Sequence, residues 1–251
     1  AQFAFRDMSS LAVSPRHTAG GDADNFAWSL ENFSREASML ASLDHPGIVP
    51  VMRSFEAFGT SYFVMPYMEG LPLDELMKNR RERGEEISDD ELRGLLEHVL
   101  DALGYLHGKK IYHRDIKPGN IMLTAGGDVK LIDLGFCAAS EDRNPEDSAV
   151  GTVAYLDPGQ AEGGACADIR SDVYSLGVTL FQLVVGHLPF EGEGDEDTLR
   201  KAVMENLKSP ELKSKDFSPH LHFIIEKMMA KDADVRFQSW PDFLSEVRGQ
   251  I

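Results

Sequence analysis

The chain has 251 residues, 42% of them hydrophobic, which is enough to bury the core of one large domain or of two small lobes. Its formal net charge of −17 argues against nucleic acid as a partner, because phosphate backbones bind clustered lysine and arginine. The two cysteines form neither a disulfide framework nor a zinc-ligand pattern, and no apolar run reaches the ~18 residues that predict a membrane-spanning helix. We expect a cytoplasmic domain, either alone or as the cytosolic part of a longer protein.

The first part of the chain predicts a small sheet that carries one helix. Residues 2–5 are typical of a strand, and the polar stretch from there to residue 22 is typical of a loop. Apolar residues then recur at helical spacing over 26–40. Two further strands are predicted at 48–55 and 61–65.

From residue 70 onward the pattern is mainly helical. Ser88-Asp-Asp-Glu91 is a capping box, and it opens a helix with one continuous apolar face. Further helices are predicted at 173–185, 199–207, 221–229 and 241–247. The sequence therefore predicts an α+β protein with a small β-rich lobe, a large mainly α-helical lobe and a ligand-binding cleft between them.

A polar motif follows the first long helix directly. It reads Ile111-Tyr-His-Arg-Asp-Ile-Lys-Pro-Gly-Asn120, and Asp133-Leu-Gly135 begins thirteen positions after its end. Two carboxylates, a lysine and an amide in this order could hold a magnesium-bound phosphate and activate a hydroxyl beside it. The two segments resemble the catalytic loop and the metal-binding motif of protein kinases, specifically those of the serine/threonine branch.

The resemblance covers nearly the whole chain and implies a role for each polar residue of the motif. Asp115 would orient or accept the proton of a substrate hydroxyl, and Lys117 would neutralise charge on the moving phosphoryl group. Asn120 and Asp133 would bind Mg²⁺. The implied fold is bilobal, with a partial N-lobe at 1–68 and a C-lobe at 69–251.

The same resemblance implies an ATP site. Met65 would stand at its gate, and backbone groups of Pro66 and Met68 would face the adenine. Ala4 and Met122 would lie on either side of the ring. The expected cofactors are therefore ATP and Mg²⁺. The motif sequences resemble those of bacterial members of the family most.

The resemblance also implies a peptide-binding segment and an activation loop. Gly151-Thr-Val-Ala-Tyr155 would carry the substrate, with Thr152 bonded to Asp115 and Lys117. Within the activation loop, phosphorylation of Ser148 or Thr152 would raise activity by pairing with Arg114. Acidic side chains in that loop could instead supply the charge already, or the loop could be an ordinary solvated one.

The small lobe departs from the family pattern in two ways. The sequence shows no glycine-rich phosphate-covering loop, because it begins where the third strand of the lobe is expected. Phe3-Ala-Phe-Arg6 stands where Val-Ala-Ile-Lys is expected, so Arg6 takes the place of the phosphate-binding lysine, with Glu36 as its partner. The first lysine in the chain is Lys78, and arginine does not reproduce a compact ammonium beside phosphates.

A third departure concerns the end of the activation segment. Asp157-Pro-Gly159 stands where Ala-Pro-Glu is usual, and the glutamate of that pattern pairs with an arginine late in the chain, here Arg236. We expect Arg236 to lose this carboxylate, and the segment to be loosely anchored, unless Glu162 or another acid substitutes.

Two functions of different classes follow. The first is a serine/threonine protein kinase with weakened activity, acting on a protein substrate. The second is a pseudokinase that binds nucleotide or works as a scaffold for a regulatory protein partner. Phosphorylation of a small molecule is a weaker third reading, because the peptide-binding segment favours a protein substrate.

Overall fold

The computed structural model describes residues 4–6, 13–15, 39–134, 138–139, 152–161, 168–207, 209–215 and 217–249. The chain divides into two compact units, Ala1–Met68 and Glu69–Ile251. The first contains strands and the second is mostly helical, which confirms the predicted α+β class. No helix within the described ranges is long and apolar enough to cross a membrane.

The small unit contains two antiparallel strand pairs. Strand β1, Ala4–Arg6, pairs with strand β2, Val13–Pro15. Strand β3, Arg53–Ala57, pairs with strand β4, Thr60–Val64. The prediction of an uninterrupted loop up to residue 22 was wrong, since it contains β2. A three-residue strand that ends in proline is too short for an alternating pattern to be visible.

The hairpin turn sets the register of β3 and β4. Phe58 and Gly59 both have positive φ, 54° and 70°, and such two-residue turns match the twist of the strands they join. The apolar residues before β3, which suggested a strand from residue 48, are instead buried core residues: Ile48, Val49 and Val51. Of the helix predicted at 26–40, the described part is helical at Met39 and Leu40.

The large unit opens with a three-stranded antiparallel sheet that the sequence did not predict. Its strands are β5, Gly70–Pro72, then β7, Ile121–Thr124, and β8, Val129–Leu131, in the order β5-β7-β8. Gly70 has φ of 155°, and a Cβ there would fall 2.3 Å from the carbonyl oxygen of Leu123. A larger residue could not pair with β7 in this way.

Helices make up most of the large unit. They are α1 (Leu73–Glu82), α2 (Asp89–Gly108), α3 (Pro158–Ala161), α4 (Ile169–Val185), α5 (Asp195–Met204), α6 (Ser209–Lys213), α7 (Pro219–Met228) and α8 (Trp240–Arg248). The helix predicted at 199–207 begins earlier, at Asp195, because three acids in its first turn favour the positive end of the helix dipole.

The capping box of α2 is confirmed. The Ser88 hydroxyl accepts a hydrogen bond from the Glu91 backbone N–H (3.2 Å), and the Glu91 carboxylate accepts one from the Ser88 N–H (3.0 Å). The predicted apolar face is buried throughout: Leu92, Leu95, Leu96, Val99, Leu103 and Leu106. Helix α2 therefore leads the chain firmly into the polar motif that follows.

Helix α4 is buried almost along its whole length. From Ser171 to Phe181 every residue is buried, and the helix ends at Gly186, which has φ of 108°. After Arg170 in its first turn, the polar side chains of the helix recur at helical spacing. They are Asp172 and a stripe formed by Ser171, Ser175, Thr179 and Gln182, and all but Gln182 are buried.

Candidate active site

The polar motif forms a loop between two strands. Strand β6, Ile111–Tyr112, precedes it and pairs with strand β9, Ala138–Ala139. A 3₁₀ turn, Pro118–Asn120, ends it and leads directly into β7. Both ends of the loop are thus fixed by the pairing of the strands that flank it.

Asp172 on helix α4 holds the start of this loop. Its Oδ2 accepts hydrogen bonds from the His113 N–H (2.9 Å) and from His107 Nε2 (2.8 Å), and its Oδ1 accepts one from the Arg114 N–H (2.9 Å). Burial alone would raise the pKa of Asp172, but His107 and the backbone donors outweigh it and leave that pKa below its usual range. Asp172 therefore bonds the loop through two consecutive backbone N–H groups.

Arg114 and His113 show what this contact achieves. Arg114 has φ of 66°, a left-handed conformation that is rare for a residue with a side chain. His113 is completely buried, and burial lowers its pKa, so the ring is a neutral packing residue near neutral pH. The loop is therefore held in a backbone conformation that its residues would not choose alone.

Asp115 is the centre of the hydrogen-bond network. Its side chain is 1% exposed. Oδ1 accepts bonds from the Thr152 N–H (2.9 Å) and hydroxyl (2.8 Å). Oδ2 accepts bonds from Lys117 Nζ (2.7 Å) and Asn120 Nδ2 (2.8 Å). Lys117 also donates to the Thr152 hydroxyl oxygen at 2.7 Å, so the hydrogen bonds predicted for Thr152 are present.

These partners decide the ionisation of Asp115. Burial by itself would raise the pKa of this carboxyl, but the bonds from Lys117 and Thr152 outweigh burial and hold the pKa below its usual range. Asp115 is therefore an ionised carboxylate at neutral pH. Because it is unprotonated, it can act as a hydrogen-bond acceptor toward a hydroxyl.

Asn120 and Asp133 carry the oxygens suited to a hard cation. Asn120 Nδ2 donates to the carbonyl and the carboxylate of Asp115, both at 2.8 Å, so the amide nitrogen is fixed on Asp115. The Asn120 carbonyl accepts from the Ile132 N–H (3.0 Å), which ties the loop to the residue before Asp133. Asp133 is exposed.

The donor chemistry fits Mg²⁺, which binds one or two protein oxygens together with phosphate oxygens. No group of three His, Cys, Asp or Glu side chains that could hold a metal alone occurs among the described residues.

The residues predicted to contact ATP lie in both units. Met122 is buried in β7, while Met65, Pro66 and Met68 follow β4, and the side chain of Met65 is exposed. Ala4 and Arg6 belong to strand β1. Glu36 and Ser148 lie outside the described residues.

Arg236 keeps a carboxylate partner, because another acid substitutes for the glutamate of the family pattern, which was the alternative left open for this arginine. Arg236 Nη2 lies 2.9 Å from Asp157 Oδ1, and the two side chains are 0% and 4% exposed. The carboxylate comes from the first residue of Asp157-Pro-Gly159 and not from the third, so sequence comparison at position 159 alone missed it. Asp157 is therefore held by a buried ion pair, and the prediction of loose anchoring is wrong at this residue.

Sequence reasoning also missed how helix α4 holds that segment. The Ser171 hydroxyl donates to Asp157 Oδ2 (3.0 Å), the Ser175 hydroxyl donates to the Tyr155 carbonyl (2.8 Å), and the Tyr155 hydroxyl donates to Gln182 Oε1 (2.6 Å). A signal was present, because polar residues at this spacing on an otherwise apolar helix indicate one bonded face.

Comparison with known proteins agrees with this geometry. The family model for the protein kinase domain matches residues 20–245, and the chain belongs to the protein kinase family. Its relatives mark it as a serine/threonine kinase domain of bacterial type. It is 37% identical over 215 residues to a probable serine/threonine-protein kinase of Streptomyces coelicolor, across 82% of this chain and 31% of the relative.

Two further relatives give the same result. The chain is 33% identical to serine/threonine-protein kinase PrkC of Bacillus subtilis over 221 residues, 87% of this chain and 33% of the relative. It is 33% identical to serine/threonine-protein kinase PknB of Mycobacterium tuberculosis over 219 residues, 82% of this chain and 34% of the relative. The chain spans about a third of the length of the curated relatives it matches.

The depressed pKa of Asp115 leads to a prediction for Lys117. Since the folded-state pKa lies below that of the unfolded chain, ionised Asp115 stabilises the fold at pH values above about 3.9, and this contribution is lost as pH falls through the folded value. Replacing Lys117 by Met removes a cationic donor, so the Asp115 carboxyl should titrate at higher pH. NMR titration of the side-chain carboxyl carbons measures this directly, with Lys117→Arg as the control that keeps the charge. An identical midpoint in wild type and Lys117→Met would contradict the assigned cause.

Proposed function

We propose that this domain transfers the γ-phosphoryl group of ATP to a serine or threonine hydroxyl of a protein. One observation carries the proposal. Asp115 is an ionised, almost fully buried carboxylate whose oxygens are oriented by Lys117, Asn120 and Thr152. A carboxylate held in this way is preorganised to take the proton of an attacking hydroxyl.

The neighbouring groups support the same chemistry. Lys117 is held between Asp115 and Thr152, with its side chain 27% exposed, so its ammonium is placed to offset negative charge beside the base. Asn120 and Asp133 would hold Mg²⁺. When bound, the ion would supply a positive charge shared with phosphate oxygens. Because ATP is the phosphate donor, we expect the domain to work in the cytoplasm.

A protein is the favoured substrate. Thr152 starts a 3₁₀ turn, Val153–Tyr155, beside Asp115, and the backbone of this segment would lie next to the acceptor hydroxyl. Of the two residues suggested for regulatory phosphorylation, Ser148 is the better candidate. The Thr152 hydroxyl is already bonded to Asp115 and Lys117, and a phosphate on it would meet the Asp115 carboxylate.

A pseudokinase is the second candidate, and an observation on the small unit favours it. Residues 1–68 contain no lysine, so this stretch offers no ammonium to bind ATP phosphates. Arg6 is one proposed replacement. Strand β2 supplies another position, because Leu11-Ala-Val-Ser14 also fits the expected four-residue pattern and follows β1 along the chain. Neither replacement is a lysine, which is the reason to expect slow transfer.

The role of Asp115 is tested by Asp115→Asn. Loss of the proton acceptor should lower kcat by about 10²- to 10⁴-fold, with little change in affinity for Mg-ATP. Transfer of labelled γ-phosphate to a generic protein substrate measures the rate, and calorimetric titration measures nucleotide affinity. Asp128→Asn, at an exposed turn, is the matched control and should keep wild-type activity.

The outcomes separate the two candidate functions. Equal transfer by wild type and Asp115→Asn would refute Asp115 as the base. Mg-ATP binding by the wild type without any transfer would replace the kinase proposal by the pseudokinase.

The small-unit position is tested by Arg6→Lys and Ser14→Lys in parallel. Whichever variant introduces a lysine at the phosphate-binding position should raise kcat several-fold. A compact ammonium can contact phosphate oxygens in a way that arginine or serine does not reproduce. The other variant serves as a control for an added lysine. A gain from Arg6→Lys alone would support Arg6, and a gain from Ser14→Lys alone would move the position to β2. No gain from either would contradict both assignments.

A further inference from the structure

Arg236 is a fully buried cation in the large unit. Its guanidinium donates to four oxygens: the carbonyls of Ala230 (2.7 Å), Arg170 (3.0 Å) and Lys231 (3.1 Å), and Asp157 Oδ1 (2.9 Å). The ring of Tyr174 lies against it, 4.9 Å from ring centroid to Cζ. Asp157 supplies the anionic side chain in this pocket, and a buried guanidinium without a counter-ion is strongly unfavourable.

Asp157 uses both of its oxygens. Oδ1 accepts from Arg236 and from the Gly159 N–H (3.1 Å), and Oδ2 accepts from the Ser171 hydroxyl (3.0 Å). The carboxylate therefore fixes the chain at 157–159 against two separate parts of the unit, helix α4 and the turn that carries Arg236. An amide could not replace it fully, because one of its two polar atoms cannot accept a hydrogen bond.

The fixed point lies five residues from Thr152. Between the two, Tyr155 is bonded to helix α4 through its carbonyl and its hydroxyl. Thr152 in turn donates its N–H and its hydroxyl to Asp115. A segment this short, held at residues 157, 155 and 152, transmits a displacement of one end to the other.

We infer that Asp157 is the positioning residue of the peptide-binding segment, and that it supplies from position 157 the carboxylate that the family pattern places at position 159. Through Arg236 and Ser171 it keeps Thr152 in contact with Asp115. This inference rests on the proposed function for its effect on turnover. Its effect on the segment itself is independent of any activity.

The local backbone is compatible with such an exchange of positions. Gly159 lies within the helical turn Pro158–Ala161 and is not among the residues with positive φ. A side chain can therefore be introduced there without backbone strain, which makes the exchange testable in the protein itself.

The test compares three variants of the full chain. Asp157→Asn removes the charge, Asp157→Ala/Gly159→Glu moves the carboxylate to position 159, and Asp234→Asn is the control. Asp234 forms an ion pair with Arg170 on the same side of the unit (2.7 Å), but its side chain is 83% exposed. Hydrogen exchange of the Thr152 and Tyr155 amides reports the position of the segment, and kcat and KM for Mg-ATP report turnover.

We expect Asp157→Asn to accelerate exchange at Thr152 and to lower kcat by at least about 10-fold, with KM for Mg-ATP unchanged, since displacement of a positioning group by ~1 Å has effects of this size. The double variant Asp157→Ala/Gly159→Glu should return the hydrogen exchange and kcat toward wild-type values. Asp234→Asn should change neither. A merely stabilising role would lower the midpoint of thermal unfolding and leave kcat of the folded protein unchanged.

The inference would be overturned if Asp157→Asn showed wild-type amide hydrogen exchange at Thr152 and wild-type kcat. It would also be overturned if hydrogen exchange and kcat of Asp157→Ala/Gly159→Glu lay no closer to wild type than those of Asp157→Asn. If Asp157→Asn does not fold, Asp157→Ala/Gly159→Glu alone tests the inference. This double variant must then fold and keep the Thr152 amide protected from hydrogen exchange. If the wild type transfers no phosphate, the proposed function fails while the exchange measurement still decides the role of Asp157.

Discussion

The carboxylate of Asp172 is the contact on which the catalytic loop depends. It accepts three hydrogen bonds from inside the protein, two of them from consecutive backbone N–H groups at His113 and Arg114. The left-handed backbone of Arg114 costs on the order of 1–2 kcal/mol for a residue with a side chain, and charge-assisted bonds of about 1.5–3 kcal/mol each offset that cost. Asp115 follows directly along the chain, so its position depends on the bonds from Asp172.

Helix α4 extends the same principle to residues 152–157, the proposed peptide-binding segment. Asp172 holds the catalytic loop, while Ser171, Ser175 and Gln182 hold residues 155–157 from the same helix. Thr179 reaches the Ile116 carbonyl at 3.4 Å. Both parts that meet at Asp115 are thus bonded to one buried helix. Such a site is preorganised, because its dipoles are oriented before a substrate arrives.

Local sequence predicted which side chains of the polar motif lie together. Asp115, Lys117 and Asn120 lie within six residues, so their spacing alone brings them together. The apolar face and capping box of α2 were equally readable, since both depend on helical periodicity. Contacts between distant positions were not readable. Asp157 and Arg236 are 79 residues apart, and the expected family pattern drew attention to Gly159. Six strands, β2 and β5 to β9, were missed because runs of two to four residues carry too little alternation.

The small unit was the least predictable part for a related reason. Residues proposed to bind adenine would act through backbone groups, which leave no side-chain signature. The choice between Arg6 and Ser14 depends on which short strand occupies the phosphate-binding position. That choice is made by strand pairing across the unit, and the local pattern of either segment fits equally well.

The central claim is that a buried carboxylate on α4 sets the geometry of the catalytic loop. It is tested most directly by Asp172→Asn, with amide hydrogen exchange over 113–115 and the single-turnover rate of phosphate transfer measured on the same protein. An amide of the same shape can accept fewer bonds than the carboxylate. The account predicts faster exchange at the His113 and Arg114 amides together with a slower transfer step. Unchanged exchange and an unchanged transfer rate would contradict it.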